Sequence, residues 1–393
     1  MQTPFAYFPI SQLLFVGSSD SLILKDKQLE AFDEFLKIHE GKYIFTAIGY
    51  DLKNQFENLT SSHKDVFDFP DVLAFVPEQV IELSKGKPTI LIGDNRISAF
   101  TKAIIQKILE DKEIPYPRIS ISPIIDKETY IRQVKSVQSE IQYGNCYELN
   151  FCQQYVANQV ESFDSLGVFL NLYRKTQSPF SVYFHYDTWE VMCLSPERYL
   201  QKTGNKIVSQ PIKGTIRRGI DESEDQFLQN KLRTDRKEQS ENVMIVDLVR
   251  NDLSKIARKG SVKVDELFGI YQFQTLHHMI STVSCELKPE ISFNSCLEAT
   301  FPMGSMTGAP KKKVMELIEK HESFKRGLYS GSIGYILPNG DFDLNVVIRS
   351  LFYNNFLKTL SCAVGSAITI KAIAENEYDE CEVKIGNLIR PFL

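Results

Sequence analysis

The stretch FSVYFHYDTWEVMCLS, residues 180–195, decides the predicted fold class. Its aromatic and β-branched residues suit a half-buried sheet, so we predict a strand here. The stretch CYELNFCQQYVA, residues 146–157, precedes it as another strand, and a further strand pair leads into PIKGT at residues 211–215. Strands that follow one another in runs, without strict alternation with helices, indicate an α+β fold with largely antiparallel sheets covered by helices.

The helices that would cover these sheets are predicted from periodicity. Apolar residues recur at helical spacing along residues 127–145, and a long helix is expected over residues 235–256. A final helix is expected to begin at about Glu377.

The chain of 393 residues is long enough for one large domain or two interlocked ones. Residues 1–115 alternate short apolar strands with a helical stretch and lack clustered polar residues, so we interpret them as an N-terminal scaffold region. Prolines mark residues 111–123 as the predicted boundary. Residues 124–393 form the predicted catalytic region, and the two regions are expected to interlock.

Composition argues against several classes of protein. The net charge of −5 is mild and basic residues are interspersed with acids, which argues against a nucleic-acid surface. Seven cysteines without metal-binding spacing indicate reduced thiols in a cytoplasmic protein. No apolar run approaches the ~20 residues that a membrane span requires, and the N-terminus is a poor signal peptide.

Two pairs of carboxylates could carry chemistry. Glu238 and Glu241 are one helical turn apart and lead into an apolar face, while Glu377 and Glu380 lie beside the apolar stripe of the last helix. One interpretation is a solvated face on which Glu380 pairs with Lys384. The other is that two helices bring carboxylates together around Mg²⁺, which favours one or two carboxylates plus substrate oxygens. The periodicity does not decide between them.

A glycine-containing loop precedes a basic helix in FPMGSMTGAPKKK, residues 301–313. Pro310 suits a first helical position, and a loop of this kind can present backbone N–H groups to an anion. An ordinary capped helix is the alternative. The stretches GSIGY at residues 331–335 and VGSA at residues 364–367 are further glycine-containing strands that a ligand could approach.

Four single groups have both a structural and a functional interpretation. Glu197 follows a proline in a turn and is by default a surface acid, and His278 in an apolar run is most simply a core histidine. Arg349 interrupts an apolar strand and needs a partner, for which a bound carboxylate is suitable. Lys213, placed among apolar neighbours, must extend its amine to water, pair with an acid, or lose its proton.

Taken together and in this order, eight motifs resemble the chorismate-utilising enzymes, which include anthranilate synthase component I, aminodeoxychorismate synthase component I, isochorismate synthase and salicylate synthase. The motifs are SPER, PIKGT, ENVMIVDLVRND, HHMISTV, FPMGSMTGAPK, YSGSIGY, IRS and ENEYDE. The resemblance covers roughly residues 124–390. It implies a compact chorismate-binding fold of two interleaved, largely antiparallel sheets with helices outside.

The resemblance also implies roles for individual residues. Glu241 and Glu380 would hold Mg²⁺, which binds the ring carboxylate of chorismate, with Glu238 and Glu377 as supports. Glu197 would be the general acid that protonates the departing 4-hydroxyl. The residues implied to contact the substrate or the surroundings of the metal are Gly214, Thr215, Gly365, Ser366 and Ala367 near the ring carboxylate, Arg349 and Tyr329 at the enolpyruvyl carboxylate, and His278 near the ring.

The lysine of PIKGT separates members of this family, because anthranilate synthases typically read PIAGT. PIKGT resembles aminodeoxychorismate synthase component I, in which the amine of Lys213 would attack C2 of chorismate. Ammonia would then add at C4, expel the lysine and give 4-amino-4-deoxychorismate for 4-aminobenzoate and folate synthesis. We expect burial and a nearby divalent cation to lower the pKa of Lys213, because the reaction needs a neutral amine.

One position departs from the family pattern. Relatives that use ammonia often have glutamine where this chain has Glu148, and isochorismate synthases have a lysine base there. The chain contains no convincing nucleophilic cysteine of its own, so the resemblance implies a separate glutamine amidotransferase that supplies ammonia. The alternatives are anthranilate synthase component I and a catalytically silent chorismate-binding subunit.

Overall fold

The computed structural model describes residues 3–25, 29–110 and 112–393. Asp111, the first residue of the predicted boundary, lies outside the described residues, as do residues 1, 2 and 26–28 of the predicted N-terminal region. The strands are β1 (Phe5–Phe8), β2 (Leu13–Val16), β3 (Asp20–Leu24), β4 (Ile44–Ile48), β5 (Val72–Val76), β6 (Gln79–Glu82), β7 (Thr89–Ile92), β8 (Ser122–Pro123), β9 (Glu148–Ala157), β10 (Phe180–Tyr186), β11 (Trp189–Ser195), β12 (Arg198–Thr203), β13 (Lys206–Gln210), β14 (Ile212–Arg217), β15 (Lys263–Gln272), β16 (Leu276–Glu286), β17 (Gly308–Ala309), β18 (Ser332–Ile336), β19 (Phe342–Asn345), β20 (Ser350–Asn354) and β21 (Thr359–Ile368). The helices are α1 (Leu29–Ile38), α2 (Lys53–Glu57), α3 (Ala99–Leu109), α4 (Lys127–Gln142), α5 (Ser165–Thr176), α6 (Glu222–Thr234), α7 (Arg236–Ile256), α8 (Phe293–Thr300), α9 (Lys311–His321) and α10 (Ala374–Ile389).

Two large antiparallel sheets contain these strands, which confirms the predicted α+β fold class. The first sheet has the order β17-β9-β21-β20-β11-β10-β1-β2-β6-β7, with β8 beside β9. The second sheet has the order β14-β16-β13-β12-β19-β18-β4-β5-β3, with β15 beside β16. Strands from the first hundred residues therefore complete both sheets: β1 pairs with β10, and β4 pairs with β18. The division into residues 1–115 and 124–393 stays a prediction.

Side-chain alternation along the strands of the first sheet builds two apolar layers. Ala6 and Phe8 on β1 join a core cluster shared with the second sheet, whereas Phe5 and Tyr7 join a cluster on the opposite face with α3, α4, α5, α9 and α10. This alternation is the period-2 pattern of a strand that is buried on both faces. The first sheet is thus the central layer of the molecule.

The structure changes three local predictions. Residues 180–195 form a hairpin, in which β10 and β11 pair antiparallel around a turn at Asp187 with φ of +52°. Aspartate tolerates this left-handed conformation, which the continuous strand-like composition had concealed. The last helix begins at Ala374, almost one turn before Glu377. Pro310 occupies the N-cap position of α9, because Lys311 is the first helical residue.

The helices α7 and α10 position the two predicted carboxylate pairs. The side chain of Asp235 accepts hydrogen bonds from the backbone N–H groups of Lys237 and Glu238, which caps the start of α7. Helix α7 packs against β14 and β16, and α10 packs against β21, so the two helices flank the ends of strands from different sheets. No helix among the described residues is long and apolar enough to cross a membrane.

Candidate active site

A cavity of about 680 Å³ lies where β14, β21, α7 and α10 meet. The predicted site residues that line it are Glu197, Lys213, Gly214, Thr215, Glu238, Glu241, His278, Tyr329, Arg349, Gly365, Ser366, Ala367, Glu377 and Glu380. The structure therefore brings together every residue that the sequence placed at the site. Their individual chemical roles stay predictions.

Lys213 enters this cavity from an irregular part of β14. The register against β16 shifts between Ile212 and Thr215, and Gly214 has φ of +92°, which glycine adopts without strain. The Lys213 ammonium lies 2.8 Å from Oε1 of Glu148. Burial acts to lower the pKa of Lys213, but Glu148 and Glu241 outweigh it and the pKa is raised. In this structure the neighbouring acids therefore outweigh burial, and the lowering of this pKa by a divalent cation stays a prediction.

Glu197 is buried, with 4% of its surface exposed, so the surface interpretation of this residue is wrong. The backbone of its turn is fixed on both sides, because Glu197 N–H donates to Oγ of Ser195 and its carbonyl accepts from Val346 N–H. Burial raises the pKa of Glu197 to about 7, although Lys213 and Arg349 act in the opposite direction. A carboxyl group with this pKa can hold or release a proton near neutral pH.

Arg349 lies between β19 and β20, not within a strand, and has φ of +51°. The apolar sequence on both sides of it had concealed this break. Within the described part of the chain its guanidinium makes no hydrogen bond or ion pair, and Glu197 is the acid that influences it electrostatically. Tyr329 is buried on the cavity wall, and this burial raises its pKa well above the usual value. An unpaired guanidinium on a cavity wall suits an anionic ligand.

His278 is buried, as the core interpretation required, but it also lines the cavity. Its Nδ1 lies 3.0 Å from Oγ1 of Thr215, and its ring packs edge-on against Phe273. Burial, and then the positive charge of Arg349, hold the pKa of His278 well below its usual value. The imidazole is therefore a neutral hydrogen-bonding group.

The buried members of the carboxylate pairs are Glu241 and Glu377. Burial raises the pKa of Glu241 to about 7, and its Oε1 has no hydrogen-bond partner. Glu377 lies within the buried stripe of α10, not beside it, and accepts a hydrogen bond from the Ser366 hydroxyl. The Lys237 ammonium lies 3.7 Å from a carboxylate oxygen of each of these two glutamates. One cation therefore already bridges α7 and α10 between the two acids.

The outer members of the pairs are Glu238 and Glu380. Burial raises the pKa of Glu238. Glu380 is 48% exposed and pairs with Lys384 at 2.6 Å, which confirms the contact that its spacing predicted. Partial burial would raise the pKa of Glu380, but Lys384 outweighs it and the pKa is lowered.

The glutamates that line the cavity are the candidate donors for a metal ion. No group of three or more histidine, cysteine or acid side chains close enough to hold a metal occurs among the described residues. Mg²⁺ requires only one or two carboxylates, with the rest of its shell from water and substrate. Oε1 of Glu241 is buried, makes no hydrogen bond within the described chain and lies 3.7 Å from the Lys237 ammonium. In a cavity lined by five glutamates, this oxygen fits such a site.

A family model for chorismate binding enzymes matches residues 9–390. The chain belongs to this family. It is 32% identical to aminodeoxychorismate synthase component 1 of Escherichia coli over 343 residues, which cover 87% of this chain and 75% of that protein. It is 34% identical to chloroplastic aminodeoxychorismate synthase of Arabidopsis thaliana over 367 residues, 88% of this chain but only 39% of that protein. The predicted family resemblance is confirmed.

The fold of this chorismate binding enzyme matches a solved structure of anthranilate synthase component I from Streptococcus pneumoniae. The TM-score is 0.81 at 24% identity, and the match covers 97% of this chain and 92% of that one. At this identity the match establishes the fold alone, and it confirms the predicted architecture of two sheets.

Sequence reasoning missed Lys237 and Asn150 in this chorismate binding enzyme. Lys237 is four residues before Glu241, a spacing that brings side chains together on a helix and could have been noticed. Asn150 lies on β9 with Glu148 two residues before it, so that both share one face of the strand. A Cβ on Gly365 would lie 2.5 Å from Oδ1 of Asn150, so this glycine permits close approach of β21 to β9.

The glycine-containing loop of residues 301–313 has mainly a structural role. Gly308 and Ala309 pair with β9, and Lys311, the first residue of α9, donates to Asp252 and to the Thr300 carbonyl. Ser305 lines the cavity from this loop. The interpretation as an ordinary capped helix accounts for Lys311. The loop forms part of one wall of the cavity.

Proposed function

We propose that this chorismate binding enzyme is aminodeoxychorismate synthase component 1, which converts chorismate and ammonia to 4-amino-4-deoxychorismate. The single observation that carries the proposal is the placement of Lys213 in the same cavity as the buried acid Glu197. The names of the relatives in Escherichia coli and Arabidopsis support it. We further propose that a glutamine amidotransferase partner supplies the ammonia and that the product leads to 4-aminobenzoate and folate.

The first proposed step joins Lys213 covalently to the substrate. The neutral amine attacks C2, the ring double bonds shift, and the bond between C4 and oxygen breaks. Glu197 gives its proton to the departing hydroxyl, which leaves as water. A carboxyl group with a pKa of about 7 is a suitable donor because a substantial fraction carries the proton at neutral pH.

The second proposed step uses ammonia. Its nitrogen bonds to C4, the double bonds shift back, and the bond between C2 and the lysine nitrogen breaks. The new ammonium group at C4 loses a proton to Glu197, which restores the acid. Chorismate and ammonia have then given 4-amino-4-deoxychorismate and water.

The other residues of the cavity would orient the substrate. Arg349, which has no ion-pair partner in the described chain, and Tyr329 would bind the enolpyruvyl carboxylate, and the neutral His278 would lie near the ring. Backbone and side-chain groups near the ring carboxylate are Gly214, Thr215, Gly365, Ser366 and Ala367. We propose that Glu241 and Glu380 hold Mg²⁺ with support from Glu238 and Glu377. When bound, Mg²⁺ would neutralise the ring carboxylate.

The test is incubation of the purified protein with chorismate, Mg²⁺ and an ammonium salt, with products separated by chromatography and identified by mass. Formation of 4-amino-4-deoxychorismate by the wild type, and its loss in Lys213→Ala, is the expected result. Release of anthranilate by the wild type would instead place the protein in tryptophan synthesis. Binding of chorismate without turnover, even at high ammonium concentration, would indicate a silent chorismate-binding subunit.

A further inference from the structure

The contact between Lys213 and Glu148 joins the two sheets of the molecule. Lys213 is on β14 of the second sheet, and Glu148 is the first residue of β9 in the first sheet. Their charged atoms are 2.8 Å apart, and Glu148 is only 1% exposed. Glu148 is the only hydrogen-bond acceptor for the Lys213 ammonium within the described chain. The proposed nucleophile, whose side chain is 11% exposed, thus rests in an ion pair with a buried carboxylate.

We propose that Glu148 is the catalytic proton acceptor for Lys213, taking a proton from its ammonium before attack and returning it after release. This inference rests on the proposed function, because it concerns the same amine. The chemistry requires such a group: a protonated lysine has no lone pair with which to attack, and Glu148 touches the nitrogen that reacts.

The surroundings of Lys213 make this acceptor necessary. Acids from four parts of the fold influence the lysine electrostatically. They are Glu148 on β9, Glu197 before β12, Glu238 and Glu241 on α7, and Glu380 on α10. Of these acids, Glu148 has the largest effect and favours the protonated form of the amine. A transfer inside the pair moves the proton only between neighbouring atoms and leaves the total charge of the cavity unchanged.

The second carboxylate oxygen of Glu148 supports the same role. Oε2 is buried and makes no hydrogen bond in the structure. A buried carboxylate oxygen without a donor is costly when charged, and protonation of the carboxyl group removes that charge. Glu148 can therefore hold the transferred proton in a site where its charged form is poorly solvated once the lysine has become neutral.

The proton balance closes over both steps. The Lys213 ammonium gives one proton to Glu148, and the resulting amine forms the bond to C2 as C4 loses its hydroxyl. The adduct nitrogen is then a secondary ammonium. When ammonia expels it, the bond to C2 breaks with its electron pair returning to nitrogen, and neutral Lys213 recovers the proton from Glu148. No other reactant is needed beyond those of the proposed reaction.

The test measures formation of the covalent adduct without ammonia, seen as a gain in protein mass equal to chorismate less water. Wild type, Glu148→Gln and Glu148→Asp are compared in single turnovers from pH 6 to 9. We expect Glu148→Gln to be about a hundredfold slower at low pH, because its lysine must lose the proton to water. The ratio of wild-type to variant rate should then shrink about tenfold per pH unit until that lysine is neutral. Because Glu197 is present in both proteins, the pH dependence of this ratio reports the protonation of Lys213.

Glu148→Asp keeps a carboxylate and should be slower than the wild type by the same factor at every pH. Glu148→Asp also tests the proposal if Glu148→Gln does not fold. If the rate of Glu148→Asp relative to the wild type falls further as the pH is lowered, the proposal is overturned. Glu140→Gln, which removes a carboxylate paired with Lys320 outside the cavity, is the matched control and should leave the rate unchanged.

The outcomes separate the two proposals. A ratio of wild type to Glu148→Gln that is constant with pH would show that Glu148 is only a structural counter-ion. In that case product formation by the wild type would leave the proposed function intact. Absence of both adduct and 4-amino-4-deoxychorismate in the wild type would overturn the proposed function and this inference together.

Discussion

Two regions of the molecule each hold a lysine largely shielded from water, and the surroundings of the two lysines differ. Lys53, in the N-terminal region, is 2% exposed and donates to Oδ1 of Asn54 at 2.8 Å and to Oγ of Ser61 at 3.1 Å. Asp51 lies 3.6 Å away, yet burial prevails and the pKa of Lys53 is lowered. Among the described residues, Lys213 makes one hydrogen bond, to an acid; it also lines a cavity and has a raised pKa.

The difference shows that burial alone does not make a lysine a candidate for catalysis. Lys53 uses its donors on neighbouring polar groups and has no excess of acids around it. Lys213 keeps donors free, faces several carboxylates and borders a space large enough for a substrate. Nearby carboxylates together with a bordering cavity are the features that distinguish Lys213 from Lys53.

The largest effect on turnover is expected from Lys213→Met. This variant removes the proposed nucleophile but keeps a side chain of similar length, so formation of 4-amino-4-deoxychorismate should fall by roughly a thousandfold or more. Steady-state kinetics check the loss, and circular dichroism with thermal unfolding verifies the fold. Turnover of Lys213→Met near the wild-type level would show that Lys213, like Lys53, is not needed for the reaction.

Glu197→Gln should lower kcat by about a hundredfold to a thousandfold, because the amide cannot donate a proton to the departing hydroxyl. The same variant should be more stable at pH 8. The folded-state pKa of about 7 lies above the usual glutamate value of 4.5, so the wild type loses stability as pH rises through this window. Glutamine avoids that loss, which amounts to about 3 kcal/mol. Denaturant unfolding at pH 5 and pH 8 measures it, and an equal difference at both pH values would contradict the assignment.

Arg349→Lys should lower kcat/KM for chorismate by about tenfold to a hundredfold. The ammonium keeps the positive charge but cannot form the two parallel hydrogen bonds that a guanidinium makes to a carboxylate. Initial rates over a range of chorismate concentrations provide the measurement, with the loss expected mainly in KM. An unchanged KM would show that this guanidinium does not bind the substrate.

The smallest effect on turnover is expected from Lys53→Met, which is the matched partner of Lys213→Met. Activity per folded molecule should stay at the wild-type level, whereas the free energy of unfolding should fall by about 3 kcal/mol because Asp51 loses its buried cation. Unfolding curves and kinetics on the same preparation test both statements. A large loss of kcat with unchanged stability would mean that the N-terminal lysine also contributes to chemistry.

The sequence predicted features that depend on local pattern or on recognisable motifs. The periodicity of residues 127–145 predicted α4, and the motifs identified residues that all line one cavity. The burial of Glu197 could not be predicted, because a Pro-Glu turn has the composition of a surface loop. The pairing of Lys213 with Glu148 depends on two strands from different sheets, 65 residues apart, so no local pattern reveals it. The hairpin turn at Asp187 was concealed by continuous strand-forming composition on both sides.

The shared sheets also have a consequence for how the chain folds during synthesis. Ile48 at the end of β4 pairs with Ser332 of β18, a separation of 284 residues (332 minus 48). At a ribosomal rate of about 5–20 residues per second, β4 is made roughly 15 to 60 seconds before its partner exists. During that interval the edge of β4 that later pairs with β18 has no native neighbour, so it is open to pairing with other chains until β18 is made.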